Sequence, residues 1–534
     1  MVTDDCTDPI VQPIKNRKEP KPEQKSMFIK DGVLWEQIYD PKTEISSFVT
    51  WDYKTNNLVQ LSYQTYNGKR IIPNSNELIK KNCVILPSGV LPYGSVDQLE
   101  KEIYDFSYQY LDISKEHRKL TIWYNRLSWT TDFINTIPYM KIQGDYGTGK
   151  TRYEDVVGGL CYKPMFVGGA VRSAPIYRVI DQWRGTAVFD EFTLTKSDET
   201  QDIIQILNNG FQRGKPVLRC KDGNYSEVEC FDPFGPKILA TRKELTDKAT
   251  ESRCITEIAV VSPRKDIPID LSLEFFEKRQ ELQNKLLMYR FDYWNKIKTS
   301  SSICATEFGN VLPRIKQTYL PFVPLFINDK GKLDNFIKSV KRTNNELVEM
   351  NASTIDGSII HAYLELVQKG EKYITPSNIS SHIGNEKLNS VSVGKRVKTL
   401  GFKTTQTRVG DSIKKLVKIS IPAMEQLIYR YVTLEEQESM VVMFSKSTCV
   451  SDVLDVSVVT GQVDGIDWHS INLKSSCTDT IDTPDTTDNK TPSFLPKSEK
   501  ENHVLNEIKK LNISKKDKEI LTKKDDDGST TIEG

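Results

Sequence analysis

Residues 142 to 152 read IQGDYGTGKTR, with three glycines inside six positions and then a lysine and a threonine. Glycine allows backbone angles and close approaches that a side chain forbids, so Gly144, Gly147 and Gly149 can fold a loop whose N–H groups converge on an anion. The run before it, IPYMKIQ (137–143), suits a buried strand, and TRYEDVVGGL after it opens a helix whose first amides add to the same field. Gly144, Gly149, Lys150 and Thr151 meet the pattern G-x-x-x-x-G-K-[ST], with Asp145, Tyr146, Gly147 and Thr148 forming the span between. The expected cofactors are ATP and Mg²⁺, with Lys150 on the β/γ-phosphates and the Thr151 hydroxyl on the metal. The competing reading, a glycine-rich surface turn beside an ordinary lysine, does not account for the strand in front and the helix behind.

At 534 residues the chain is long enough for three or four domains. Its 73 basic and 72 acidic residues nearly cancel, so only the distribution of charge can speak about nucleic acid. Nine cysteines without a C-x-x-C pair, and only five histidines, argue against a disulfide scaffold or a zinc site. The opening MVTDDCTDPI is not a basic-then-apolar signal, and no stretch of 18 uncharged apolar residues occurs. The expectation is a cytoplasmic chain in a reducing compartment, with no membrane partner.

The expected organisation is multidomain α/β. Residues 1–31, rich in lysine and proline, read as a flexible arm. Short alternating runs such as VLWEQIYD and ISSFVTWDY make 32–92 a small β-rich domain. A helical linker or collar (93–136) leads into an α/β core (137–262), followed by a helical lid (263–350), a further unit (351–440) and a polar, largely disordered tail (441–534). Within the tail, NHVLNEIKKLNISKKDKEILTKK (502–524) reads either as a surface helix or as a segment that binds a replication partner.

Forty residues after Lys150, the apolar run Thr186–Phe189 delivers Asp190 and Glu191 to the carboxyl end of a strand, where open α/β sheets bind ligands. Asp190 is expected to hold Mg²⁺ through water, and Glu191 to polarise the attacking water. The next strand, PKILATR (236–242), places Thr241 where a hydroxyl can orient that water. Arg253, in ATESRCITEI, reads either as a guanidinium offered to a neighbouring subunit or as a solvated side chain.

The succession GDYGTGKT, LCYKPMFVGGA, WRGTAVFDE, ILNNGFQRGKPVLRC, FGPKILATR and ESRC resembles the AAA+ ATPases, and more closely the replicative helicases of mobile elements and viruses, of the superfamily 3 and minichromosome-maintenance type. The resemblance covers roughly 137–260. It implies a P-loop AAA+ core with Lys150 and Thr151 as Walker A, Asp190 and Glu191 as Walker B, Thr241 as sensor 1, Arg253 as arginine finger and Arg314 as a candidate sensor 2. Sensor 1 is commonly asparagine in such proteins, and threonine stands here. The resemblance also makes KPVLRCKDGNYSEVECF (215–231), two strand-like runs around Asp222-Gly223, the candidate channel hairpin, with Arg219 and Lys221 near its tip. Asp222, Glu227 and Glu229 dilute its positive field.

In the unit 351–440, Thr375-Pro376-Ser377 is a helix start, SVSVGKRVKTLGF (390–402) a second helix, and KTTQTRVGDSIKKLVKI (403–419) two strands around Gly410-Asp411. This resembles a winged-helix domain. Between 390 and 420 stand eight Lys/Arg and one Asp, a net +7 in a chain that sums to +1. Ser392, Lys395, Arg396 and Lys398 fall on the expected recognition helix, and Arg408, Lys414 and Lys415 on the wing. Concentrated charge of this kind fits phosphate-backbone binding, and a protein contact is the alternative. The function expected from all of this is an ATP-dependent DNA helicase or translocase, a homo-oligomeric ring expected as a hexamer, acting on single-stranded or forked DNA in the replication of a mobile element or virus. The alternative is a DNA-bound initiator, loader or transposition regulator that uses ATP as a switch.

Overall fold

The computed structural model describes residues 21–66, 68–168, 173–190, 198–221, 224–297, 308–385 and 388–454, with four further residues in two short strands, Lys523–Lys524 and Thr530–Thr531. Its frame is a five-stranded sheet made of β1 (Tyr139–Gln143), β2 (Met165–Val167), β3 (Ala187–Phe189), β4 (Lys237–Thr241) and β5 (Cys254–Ile258). All pairings are parallel and the spatial order is β5-β1-β4-β3-β2. Every residue of β3 and β4 is buried, as a parallel sheet covered on both faces requires. This is the mixed α/β architecture that the strand–loop–helix motif implied.

Because the strands are parallel, the sheet has two chemically different ends. β1 and β4 run in register from Tyr139 opposite Lys237 to Gln143 opposite Thr241, so the loop after Gln143 and the end of β4 share the carboxyl edge. At the other edge the Tyr139 amide donates to the Arg253 carbonyl at 3.0 Å. From there to Gly144 is five residues, roughly 16 Å at about 3.3 Å per residue.

An antiparallel hairpin, Val217–Lys221 with Asn224–Phe231, interrupts the core before β4. Its turn, Asp222-Gly223, lies outside the described residues.

The N-terminal strands differ from expectation in two ways. Glu23–Lys25 and Met27–Lys30, assigned by composition to the arm, are strands of the β region. The region is also fastened to the core: buried Glu36 pairs with Lys163 Nζ and Arg290 Nε, both at 2.7 Å, and accepts from the Tyr162 hydroxyl at 2.8 Å. A carboxylate at that depth persists only when so paired, and removing one partner of a buried pair typically costs about 3–5 kcal/mol. The β region is therefore fastened to the body that carries the parallel sheet.

The expected collar holds helices Val96–Tyr110 and Lys115–Ser128, and a short 3-10 turn, Thr131–Phe133, follows them. Helices Leu273–Ile297, Pro313–Tyr319 and Lys330–Ala352 come after the sheet. Next come helices Ile355–Gln368, Pro376–Ile383 and Ser390–Thr399, then the antiparallel hairpin Lys403–Val409 with Ser412–Lys418. The hydroxyl of Thr375 and the side chain of Asn378 form a capping box ahead of Pro376, as the Thr-Pro-Ser start required. Ile359, Ile360, Ile379, Val393, Val397 and Ile428 give this unit its own core. The last of its helices, Leu434–Leu454, runs past 440, where the tail was expected to begin. Residues 459–534 form a separate unit, and the expected helix at 502–524 falls almost wholly outside the described residues.

Candidate nucleotide site and nucleic-acid surface

The loop after β1 is shaped by its glycines. A Cβ on Gly144 would lie 2.5 Å from Thr148 Oγ1 and 2.8 Å from the Ala259 carbonyl, so only glycine lets the chain pass. Gly149 adopts φ +85° as the residue that starts helix Lys150–Val156, in the left-handed region where glycine carries no steric penalty. Thr148 Oγ1 donates to the Asp145 carbonyl at 2.8 Å, and Lys150 Nζ, itself buried, donates to the same carbonyl at 2.7 Å. Thr151 is exposed at the second position of the helix.

Across the carboxyl edge stand Asp190, one residue beyond β3, and Thr241, the last of β4. Asp190 Oδ1 and Thr241 Oγ1 are buried polar atoms without a hydrogen-bond partner among the described residues. Such atoms are costly in a folded interior, and two of them on one sheet edge beside a glycine cradle suit a ligand that carries phosphate and a hydrated divalent cation. Glu191 lies outside the described residues.

Two charged groups here carried no sequence motif. Asp155 stands one helical turn after Thr151, on the same face. Burial pushes its carboxyl above the ordinary range, Arg279 and Arg152 draw it back, and Asp190 pushes it further up, which places it in the field of the same site. The spacing i, i+4 from Thr151 was the only signal available. Arg279 reaches the site from helix Leu273–Ile297, packing so tightly on Gly159 that a Cβ there would meet its Cδ at 2.8 Å. The second is Arg242, immediately after Thr241, whose guanidinium carbon lies 3.8 Å from the ring centroid of Tyr146.

Arg253 and Arg314 are not at this edge. Arg253 lies at the opposite end of the sheet, its Nη1 donating to the Ala249 carbonyl and its guanidinium 5.4 Å from the Phe211 ring centroid. Arg314 was the candidate sensor 2, placed by order along the chain. It stands over the same Phe211 ring at 5.8 Å, donates to Gln317 at 2.6 Å, and has its pKa lowered by burial and by the like charge of Arg253. The reason is that helix Pro313–Tyr319 packs near the start of β1, where Thr136 donates to the Gln317 carbonyl.

The expected nucleic-acid residues divide in two. Arg219 is not a free cation at a hairpin tip: it is ion-paired with Asp202 at 2.8 Å and lies over Tyr177 at 5.6 Å. The side chain of Lys221 lies outside the described residues. In the basic unit, Arg396 pairs with Asp356 at 2.7 Å and Ser392 donates its backbone amide to the Asn389 cap. Lys395, Lys398, Arg408, Lys414 and Lys415 are exposed and make no ion pair among the described residues. The register puts Arg408, Lys415 and Ile413 on one face of the second hairpin, and Thr407 and Lys414 on the other.

Among the described residues no helix is long and apolar enough to cross a membrane, and no group of three or more metal-ligating side chains stands ready for a structural metal. Cys83, Cys161, Cys220, Cys230 and Cys254 are free thiols.

No protein-family model and no curated protein matches the chain. Among solved structures it is similar to the C-terminal region of NrS-1, residues 305–718, at 11% identity and TM-score 0.32, covering 72% of this chain and 96% of that one. It is likewise similar to the SCCmec type IV Cch, described as an active helicase, at 10% identity and TM-score 0.31, covering 78% and 93%. The Aeropyrum pernix ORC1 protein in complex with DNA aligns at 12% identity and TM-score 0.19, covering 66% and 98%. Likeness at this level adds nothing to the geometry, and the functional reading rests on this chain's own residues.

Proposed function

We propose that the chain is an ATP-hydrolysing AAA+ motor that assembles as a ring, a hexamer in the simplest closed form, and moves on or unwinds DNA during replication of a mobile element or virus. The observation that carries the reading is the carboxyl edge of the sheet, where a glycine cradle, buried Lys150 and the two unpartnered atoms of Asp190 and Thr241 meet. Lys150 and the loop amides would bind the phosphates, and Thr151 and Asp190 would hold Mg²⁺. The metal, when bound, neutralises charge developing on the transferred phosphoryl group. Thr241 would orient the attacking water and Glu191 would polarise it. Arg253, at the far end of the sheet, is too distant for its own cradle, which supports service to a neighbouring subunit. Arg314 shares its ring and belongs to the same outer edge. The unit 351–440, with three helices and a basic hairpin, would act as a winged helix that supplies DNA affinity.

One observation favours the second reading, a DNA-bound ATP switch without processive movement: the candidate channel hairpin has lost Arg219 to Asp202. Strand displacement on a forked duplex separates the two. Wild type should displace the strand with ATP and Mg²⁺. Glu191→Gln should retain nucleotide affinity but lose hydrolysis by about 10²-fold or more, whereas Lys150→Ala should lose nucleotide binding itself. ATP hydrolysis with no displaced strand and no oligomer would transfer the assignment to the switch.

A further inference from the structure

Helices Val96–Tyr110, Lys115–Ser128 and Lys330–Ala352 border a cleft of about 720 Å³ that belongs neither to the cradle nor to the basic unit. That is the size of a ligand cleft, roughly 300–1,000 Å³. Ion pairs close it at both ends. At one, Lys332 Nζ binds Asp97 and, at 2.9 Å, Glu100, which also takes Arg126. At the other, the Arg342 and Glu116 side chains stand 3.8 Å apart, each 57% exposed, a loose pair screened by water. Between them lie Lys119 and Lys338, exposed and without an ion pair among the described residues. Five Lys/Arg and two Glu line the cleft, a net +3. Its lining also includes two half-buried rings, Tyr104 and Trp123. Trp123 is braced near right angles by Phe326 and Phe336, with centroids 5.0 and 5.7 Å away. Tyr104 stacks on Tyr108 at 6.1 Å, and the guanidinium carbon of buried Arg118 lies 5.8 Å from its centroid. Both rings are therefore set in place before any ligand arrives.

We propose that the cleft binds a short run of single-stranded DNA, its bases stacked on Tyr104 and Trp123 and its phosphates on Lys119, Lys338 and Arg342. The inference adds a DNA contact to the proposed function and rests on the reading that the chain acts on DNA. Free cations beside fixed rings are the combination that a single strand requires, because every base offers a face to stack and every linkage carries a charge. A duplex keeps its bases stacked on one another, so the rings select an unpaired strand. Lys338 and Arg342 lie four residues apart on one helix face, about 6 Å along the axis at about 1.5 Å per residue, which suits successive phosphates of one strand. A mononucleotide would occupy only one of them. An acidic peptide would engage the cations and leave the rings without a planar partner. Glu116 opposes the phosphate at Arg342, and Lys332 is held by two carboxylates, so Lys119 and Lys338 are the cations to test.

The test is fluorescence anisotropy of the full chain with oligo-dT and with a duplex across a salt series, for wild type, K119A/K338A, Y104A and Y104F, with thermal melts to verify folding. K119A/K338A should weaken oligo-dT binding about tenfold and reduce the slope of log K against log salt by about 1.4, at about 0.7 for each contact to a single strand, while duplex affinity stays within about twofold. Y104A should weaken oligo-dT binding about fivefold without changing the slope, and Y104F, which keeps the ring and remains informative should Y104A fold poorly, should restore it. An unchanged slope in K119A/K338A, an equal loss of duplex and oligo-dT, or Y104F as weak as Y104A would overturn the proposal. Displacement of oligo-dT by polyglutamate, equally in wild type and Y104A, would make the cleft an acidic-peptide site and overturn it too. The DNA reading fails separately, through a wild type that binds neither oligo-dT nor duplex, and the proposal falls with it. A wild type that binds both, beside cleft variants that lose neither, sinks the cleft alone.

Discussion

The chain holds two antiparallel hairpins that look alike on paper and differ in what their charges are free to do. In the first, Val217–Phe231, Val217 is buried, Phe231 packs on Tyr177 with centroids 4.5 Å apart, and Arg219 is ion-paired with Asp202. What this hairpin turns outward is apolar: Leu218 is 62% and Val228 63% exposed, and both its cysteines are exposed. In the second, Lys403–Lys418, burial of Leu416 and Val417 seats the base, while Arg408, Lys414 and Lys415 stay exposed and make no ion pair among the described residues. Sequence charge is an inventory; what acts on a nucleic acid is the part that the fold has not already spent.

If that distinction holds, the second hairpin dominates DNA affinity. Replacing Arg408, Lys414 and Lys415 together by alanine should lower duplex affinity by about 10²-fold at moderate salt. It should also reduce the slope of log K against log salt by roughly 3, since each released counterion contributes about 0.9. Fluorescence anisotropy across a salt series measures both. Unchanged slope would reassign the basic unit to a protein partner and erase the contrast.

The same contrast explains which parts could be read in advance. The cradle was legible because Gly144 and Gly149 are locked to it by sterics within a few residues, and the strands because buried parallel strands read as apolar runs. The Thr375 cap was legible for a similar, local reason. Arg219 was not: its partner Asp202 lies 17 positions away on another element, and nothing local distinguishes a spent arginine from a free one. Arg314 was placed by order along the chain, which could not show that its helix packs beside the start of β1. Glu36 sits in the alternating run VLWEQIYD at a position that reads as surface, and only tertiary packing brings Lys163, Tyr162 and Arg290 around it. Asp155 and Arg242 lay within the stretches quoted and had no motif to announce them.

A smaller effect is expected at Lys221, the remaining cation of the first hairpin. Alanine there should slow strand displacement about tenfold, on the order of one lost phosphate contact in a moving element, and leave ATP hydrolysis without DNA nearly as in wild type, because the hairpin is separate from the cradle. Equal displacement by both proteins would remove the first hairpin from the DNA path altogether.

The smallest effect tests the contrast at its origin, the Arg219–Asp202 pair. Both side chains of the pair are about one-third exposed, so water screens it, breaking it should alter stability by no more than about 1 kcal/mol, and a shifted melt is not the informative reading. Affinity for single-stranded DNA is. With Arg219 already engaged, Arg219→Ala should leave that affinity unchanged. Asp202→Asn removes the competing carboxylate, so affinity should rise a few-fold and the salt slope should steepen by about 0.7, the increment for one contact to a single strand. The double variant should return to the wild-type value, because the gain runs through Arg219 alone. Weaker binding by Arg219→Ala on its own would mean that the arginine leaves Asp202 when DNA arrives, and the two hairpins would then differ in readiness rather than in kind.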